Sequence, residues 1–115
     1  MKKIIIYHNP RCSKSREALK ILQEKNCSLA IIEYLKSPLS ALQIKTLLKQ
    51  LQLKPINIIR TKEKCFADLG LHETSADAEL IKAMVENPIL IERPIVTDGG
   101  KAVIGRPPEN VLILM

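Results

Sequence analysis

The sequence predicts an α/β fold in which a βαβ half and a ββα half share one mixed sheet, with a helical insert between the halves. Three observations carry that prediction. The apolar run Lys3 to Tyr7 is followed by a segment of helical period and then by a second apolar run, Leu29 to Tyr34. Two short apolar runs flank Asp98-Gly99-Gly100, a strong antiparallel hairpin signal. Between these, from about 38 to 88, the apolar positions recur at helical spacing. The chain has 115 residues, 46% hydrophobic and 26% charged, which fits one domain (1–115) able to bury a core without disulfide staples.

The elements follow in order. Lys3 to Tyr7 lacks polar alternation, the pattern of a strand covered on both faces. Asn9-Pro10 breaks it. A helix is expected from about Ser13 to Asn26, with Ala18, Leu19, Ile21 and Leu22 on one face. A strand, a helix and a strand in this order make a βαβ unit with parallel pairing. Ser37-Pro38 turns the chain. Ser40 and Gln43 form a capping box, with Leu39 stapled to Ile44, and Ile44, Leu47, Leu48 and Leu51 share the inner face of the helix that follows. Pro55 punctuates it. A short helix is expected over Arg60 to Leu69, closed by Gly70. Ser75 is expected to cap a further helix, with Asp77 and Glu79 in its first turn, Leu80, Ile81, Met84 and Val85 inside, and Asn87-Pro88 as its stop. Pro94 to Thr97 and Lys101 to Ile104 are the hairpin strands, and Pro107-Pro108 opens a terminal helix. The order describes a thioredoxin-like fold interrupted by a helical subdomain.

Composition excludes several functions. One Phe, two Tyr and no Trp leave few stacking platforms for bases, and no recognition motif accompanies the net charge of +6. No apolar run is long enough to span a bilayer, and the one behind Met1-Lys2-Lys3 breaks at His8-Asn9-Pro10, so a cytoplasmic protein is expected. The basic balance instead favours a small oxyanion, and the five arginines, Arg11, Arg16, Arg60, Arg93 and Arg106, are the residues suited to bind one bidentately. Cys12, Cys27 and Cys65 are odd in number and lack metal spacing, so neither a disulfide framework nor a zinc site is expected.

The densest chemistry is His8-Asn9-Pro10-Arg11-Cys12-Ser13-Lys14-Ser15-Arg16, at a strand end and a helix start. Helix N–H groups and Arg11, Lys14 and Arg16 there favour an anionic, nucleophilic sulfur at Cys12. A Cys among such neighbours is a poor core residue. His8 either adds positive charge when protonated or only pins the loop. Ser15 stands where a dithiol oxidoreductase has its second Cys; it either meets the reacting group or bonds backbone in the first turn. A Cys-x5-Arg phosphatase loop is excluded, since Ala18 stands at the arginine position.

The loop Tyr7 to Arg16, Ile59-Arg60 ahead of Leu69-Gly70-Leu71, the run Asn87 to Val96 and Gly105-Arg106-Pro107 together resemble the glutaredoxin-coupled arsenate reductases, over nearly the whole chain. The resemblance implies one nucleophile, Cys12, activated by His8. It implies a substrate clamp of Arg60, Arg93 and Arg106, beside which Ser15 is a substrate-binding candidate. It also implies that glutathione and glutaredoxin supply the electrons, with no bound cofactor or metal. The chemistry is coherent with it: arsenate is a tetrahedral dianion near neutral pH, and fixed guanidinium groups offset its repulsion of a thiolate. Arg93-Pro94 precedes the third strand, where thioredoxin-like folds place a cis proline, and a cis bond is expected there. Cys27 lies roughly 22 Å beyond Cys12 along a continuous helix; Cys27 and Cys65 are expected to be buried fillers, so reduction needs an external thiol.

Two other classes are alternatives, the first sharing the fold and loop. Spx-type regulatory binding modules carry a Cys-x-x-Cys switch, which Ser15 breaks here. A monothiol oxidoreductase that deglutathionylates proteins needs a glutathione groove but no arginine set.

Overall fold

Strand β1 (Lys2–His8) is the spine on which the sheet assembles, in a computed structural model that describes all residues from Met1 to Met115. The chain divides into two compact units, Met1–Ser37 with Arg93–Met115, and Pro38–Glu92. In the first unit, α1 (Ser13–Gln23) returns the chain so that β2 (Cys27–Glu33) pairs parallel with β1, from Lys2 opposite Cys27 to His8 opposite Glu33. On the other side β3 (Ile95–Thr97) pairs antiparallel with β1, and β4 (Ala102–Ile104) antiparallel with β3. The strand order β2-β1-β3-β4 is the mixed sheet of the thioredoxin-like arrangement that the element order predicts.

Alternation decides which side of β1 becomes core. Ile4 and Ile6 meet Ala18 and Leu22 of α1, with Val96 of β3 and Val111 and Leu114 beyond. Each fully buried Ile or Leu here contributes about 1.5–3 kcal/mol of transfer free energy. The terminal segment, Pro108–Leu114, is a 3₁₀ helix rather than the expected α-helix. Its buried residues are Pro108, Val111 and Leu114, three apart, and a three-residue turn is the geometry that stacks i and i+3 on one side. α1 ends at Gln23, not Asn26, because Cys27 already pairs with Lys2 and the chain must turn before it. The hairpin turn is held by Asp98, whose carboxylate accepts from the N–H groups of Gly100 and Lys101 at 2.9 and 2.7 Å. Those N–H donors also hold the Asp98 carboxyl below its usual range.

In the second unit, α2 (Ala41–Leu51) begins with the capping box the sequence predicts: Gln43 N–H donates to Ser40 Oγ at 3.1 Å and Ser40 N–H to Gln43 Oε1 at 2.9 Å. Ile44, Leu47 and Leu48 form its buried face. A 3₁₀ turn follows at Pro55–Ile58, then α3 (Lys64–Asp68) and α4 (Asp77–Glu86). α3 is shorter than the expected Arg60–Leu69 helix. Arg60 is held in extended chain, because Ile59 bridges Ile91 while Arg60 N–H donates to Leu90 O and Glu92 N–H to Ile58 O, and a turn over 61–63 then leads into the helix. That bridge carries the insert to Glu92 rather than about 88. α4 is preceded by Ala76, not capped by Ser75, whose hydroxyl accepts from His72 N–H instead. Val85 is half-buried, and Ala83 takes a buried place beside Leu80, Ile81 and Met84. No helix is long and apolar enough to cross a membrane.

Candidate active site

The chain leaves the end of β1 at His8 and must reverse within four residues to start α1. Asn9 organises the reversal. Its carbonyl accepts from Cys12 N–H at 3.0 Å, its side-chain Oδ1 accepts from Arg11 N–H at 3.0 Å, and its own N–H donates to Ser15 Oγ at 3.0 Å. Arg16 braces the same turn by donating from Nη1 to Pro10 O at 3.0 Å. Cys12 thereby becomes the N-cap residue of α1, in extended conformation, with its carbonyl accepting the first helical bond from Arg16 N–H. A thiol caps poorly and makes no cap hydrogen bond, so the first-turn N–H groups stay directed at whatever approaches the half-buried sulfur.

Beneath the sulfur, His8 is 5% exposed and Ser15 0%. His8 Nδ1 and Ser15 Oγ are 2.6 Å apart. Burial pushes the His8 pKa below 6.5; Arg16 adds to that and Glu33 opposes it, so the ring is neutral at pH 7. His8 therefore does not contribute the positive charge that protonation would have given the loop. A neutral ring is satisfied when the Ser15 hydroxyl, already accepting from Asn9, donates to Nδ1, which puts the ring proton on Nε2. The Ser15 hydroxyl is spent inside the loop, away from solvent.

Arg106 of the same unit reaches the sulfur and is bonded in turn to the backbone of Arg93. Arg106 Nη1 lies 3.8 Å from Cys12 Sγ and donates to Arg93 O at 3.2 Å. Arg93 has Nε and Nη1 shielded from solvent. Both residues precede prolines, and the Arg93-Pro94 bond is cis as expected; Arg106-Pro107 is cis as well. Between them Gly105 N–H donates to Pro94 O at 2.9 Å. A Cβ on Gly105 would stand 2.8 Å from Pro94 Cγ, so only glycine lets these two segments close up. Asn110 ties the turn from below, its Nδ2 donating to Ile104 O at 3.3 Å and to Arg106 O at 3.2 Å. A sulfur at a helix start, facing a guanidinium, is an arrangement that can hold an oxyanion against a nucleophile.

The sequence profile of the ArsC family matches residues 7–114.

The chain is a member of the ArsC family.

An arsenate reductase of Haemophilus influenzae is 44% identical over 114 residues, spanning 97% of this chain and 98% of that protein. A protein of Escherichia coli called YfgD, uncharacterized, is 49% identical over 113 residues, spanning 96% of this chain and 95% of its own. The solved structure of an arsenate reductase from Vibrio cholerae superposes with a TM-score of 0.94 at 42% identity, covering 99% of this chain and 98% of that one.

Three candidate residues of this ArsC-family chain remain. Arg60 belongs to the insert, where its Nη1 meets Glu63 Oε1. Cys27 opens β2 opposite Lys2, at the end of β1 remote from His8, and Cys65 sits in α3. Both are half-buried rather than the buried fillers expected, since each falls at an element's edge, and Cys27 Sγ is 3.6 Å from Leu22 O. No group of three His, Cys, Asp or Glu side chains could hold a metal ion. Sequence reasoning missed Asn9, Asn110 and Glu63. The Asn9-Pro10 pair carried the signal for the first, because Asn side chains hydrogen-bond the backbone two residues on; Glu63 stands three residues from Arg60, a spacing at which opposite charges pair, and nothing local marks Asn110.

Proposed function

We propose that this chain reduces arsenate to arsenite, with Cys12 as the nucleophile and Arg106, Arg93 and Arg60 as ligands of the oxyanion. The observation that carries the reading is the meeting of Cys12 Sγ with a guanidinium donated from 94 residues away, at the start of a helix. The fold holds that pair together through the Gly105 approach and the Asn110 bridge. The names of the relatives support the choice of arsenate, and the resemblance at Arg60 supports the third ligand.

In this reading Cys12 sulfur attacks arsenic and one oxygen leaves as water, giving an S–As(V) bond. Glutathione attacks the adduct next, displacing a second oxygen as water. A glutaredoxin thiol then takes the glutathione sulfur as a mixed disulfide; that new S–S bond is the oxidation, and its electron pair stays on arsenic as As(III). Water releases arsenite and regenerates the Cys12 thiol. The side chains on hand supply charge, not electrons: guanidinium groups offset the repulsion between sulfur and a dianion, and helix N–H groups add to that. His8 and Ser15 act in this scheme as one positioning unit that fixes the loop under Cys12. A cytoplasmic setting belongs to the proposal, because the reaction consumes reduced glutathione.

The test is arsenite production by purified protein supplied with arsenate, glutathione and glutaredoxin. Turnover is expected from wild type and none from Cys12→Ser, whose hydroxyl is a far weaker nucleophile at neutral pH. Loss of one ligand arginine is expected to cost on the order of 10²-fold in kcat/KM, by comparison with lost oxyanion donors. Turnover that survives Cys12→Ser would refute the scheme. A monothiol deglutathionylase would keep its activity in Arg60→Ala, which separates that reading from this one.

A further inference from the structure

Arg60 does not wait empty for an anion. Its Nη1 meets Glu63 Oε1 at 2.5 Å, and both side chains are about a quarter exposed, 27% and 25%. The backbone forces the meeting. Ile59 bridges Ile91, and Arg60 N–H donates to Leu90 O, so the residue is fixed as the last of an extended segment. The chain then turns, with Glu63 N–H donating to Arg60 O, and Glu63 becomes the N-cap residue of α3. Short acceptors such as Ser or Asp are preferred there. The Glu63 carboxylate makes no cap bond and reaches back to the guanidinium instead.

We infer that Glu63 is a built-in competitor for the anion site of Arg60 and thereby sets how much anion is needed to gain it. The inference rests on the reading of Arg60 as an oxyanion ligand. An incoming anion must displace a carboxylate of single charge that is tethered three residues away. A tetrahedral dianion brings twice the charge and a matching pair of oxygens to the guanidinium fork. A monoanion such as nitrate or chloride offers no more charge than Glu63 and lacks its tether. The carboxylate lowers the apparent affinity of every such anion by one common factor, so a weakly held monoanion drops out of the site before the dianion does.

The experiment compares wild type, Glu63→Gln, Arg60→Ala and the double variant. Two readouts are taken: KM for arsenate in the coupled assay, and the rise in Tm that arsenate produces in each protein without any thiol present. Glutamine keeps the shape and removes the charge. Glu63→Gln is expected to lower KM about two- to five-fold with kcat little changed, the range of a partly exposed ion pair. The arsenate concentration needed for a given Tm rise should fall by the same factor. Nitrate should inhibit Glu63→Gln at several-fold lower concentration than wild type. In the Arg60→Ala background the Glu63 substitution should change neither readout. An unchanged or raised KM in Glu63→Gln, with Arg60→Ala impaired, overturns the competitor and shows Glu63 to be inert or a brace for Arg60. An Arg60→Ala protein with wild-type KM and Tm response overturns the reading of Arg60 itself, and the competitor with it.

Discussion

Gly105→Ala is the sharpest probe of how the loop around the thiol is assembled. The added methyl would sit 2.8 Å from Pro94 Cγ, 3.3 Å from Val111 Cγ1 and 3.4 Å from Ala18 Cβ. The first distance is shorter than real Cβ atoms show, and a proline ring has no rotamer with which to retreat. Overpacking of this kind costs about 1–3 kcal/mol. Alanine also narrows the unfolded ensemble, which returns roughly 0.4–1 kcal/mol. The net expected loss is about 1–2 kcal/mol. For a chain of this length roughly 4 °C of Tm accompanies each kcal/mol, so the melting point should fall by about 4–8 °C. Thermal denaturation followed by circular dichroism, at one pH and protein concentration, measures it. Gly100→Ala is the control: its nearest neighbour is Asp98 Oδ1 at 3.8 Å, an ordinary contact, and its Tm should stay within a degree or two of wild type, about half a kcal/mol. The Gly105 substitution should also weaken arsenate turnover, because Arg106 is the next residue and must move with Pro94. A Gly105→Ala protein that melts at or above the wild-type temperature would show that Pro94 and Gly105 do not approach as described.

Other expectations follow from single contacts. Ser40→Ala removes the acceptor for Gln43 N–H and should cost about 1 kcal/mol in denaturant unfolding, with turnover unaffected. Asn110→Ala leaves the carbonyls of Ile104 and Arg106 without their side-chain donor and should raise KM for arsenate several-fold, while Cys12 alkylation in the absence of anion stays near the wild-type rate. Cys27→Ser and Cys65→Ser should each leave turnover within a few-fold; abolished turnover in a folded Cys65→Ser protein would refute a single-thiol mechanism. His8 predicts a pH effect of definite sign. Its native pKa lies below 6.5 because burial penalises the charged ring, so between 6.5 and that lower value the unfolded chain binds more protons than the native one. Stability from this residue is therefore undiminished above pH 6.5, falls as pH drops through the window between the two values, and levels off below it. Unfolding free energies at pH 7 and 5.5, compared with His8→Asn, should show the extra acid loss in wild type only.

The local elements were readable because their signals are local. Ser40 and Gln43 satisfy each other within one turn, so three residues of sequence suffice to specify the start of α2. Asp98-Gly99-Gly100 specifies a hairpin in the same way. The β1 and β2 apolar runs, with a helix of the right period between them, admit little besides a parallel pair. The loop residues were readable as chemistry, since a cysteine among Arg, Ser and Lys at a helix start is out of place in a core.

Where the sequence reading missed, a distant partner had overruled a local preference. Arg60 left the helix that its neighbours would form because Ile91 and Leu90 offered backbone partners. Pro108–Leu114 wound as 3₁₀ because the core accepts Pro108, Val111 and Leu114 on one line. For His8 the sequence left a cation and a loop brace both open, and burial with Ser15 Oγ 2.6 Å from Nδ1 favours the brace.

By itself, then, the sequence determined most elements, their order and the place of the candidate nucleophile, since helix caps, turn chemistry and hydrophobic period act over a few residues. The tertiary structure alone decided that Arg106 comes to Cys12, that Gly105 must be bare to allow it, and that Arg60 leaves the expected helix to pair with Leu90. Those depend on burial and on neighbours far along the chain, which no local pattern encodes.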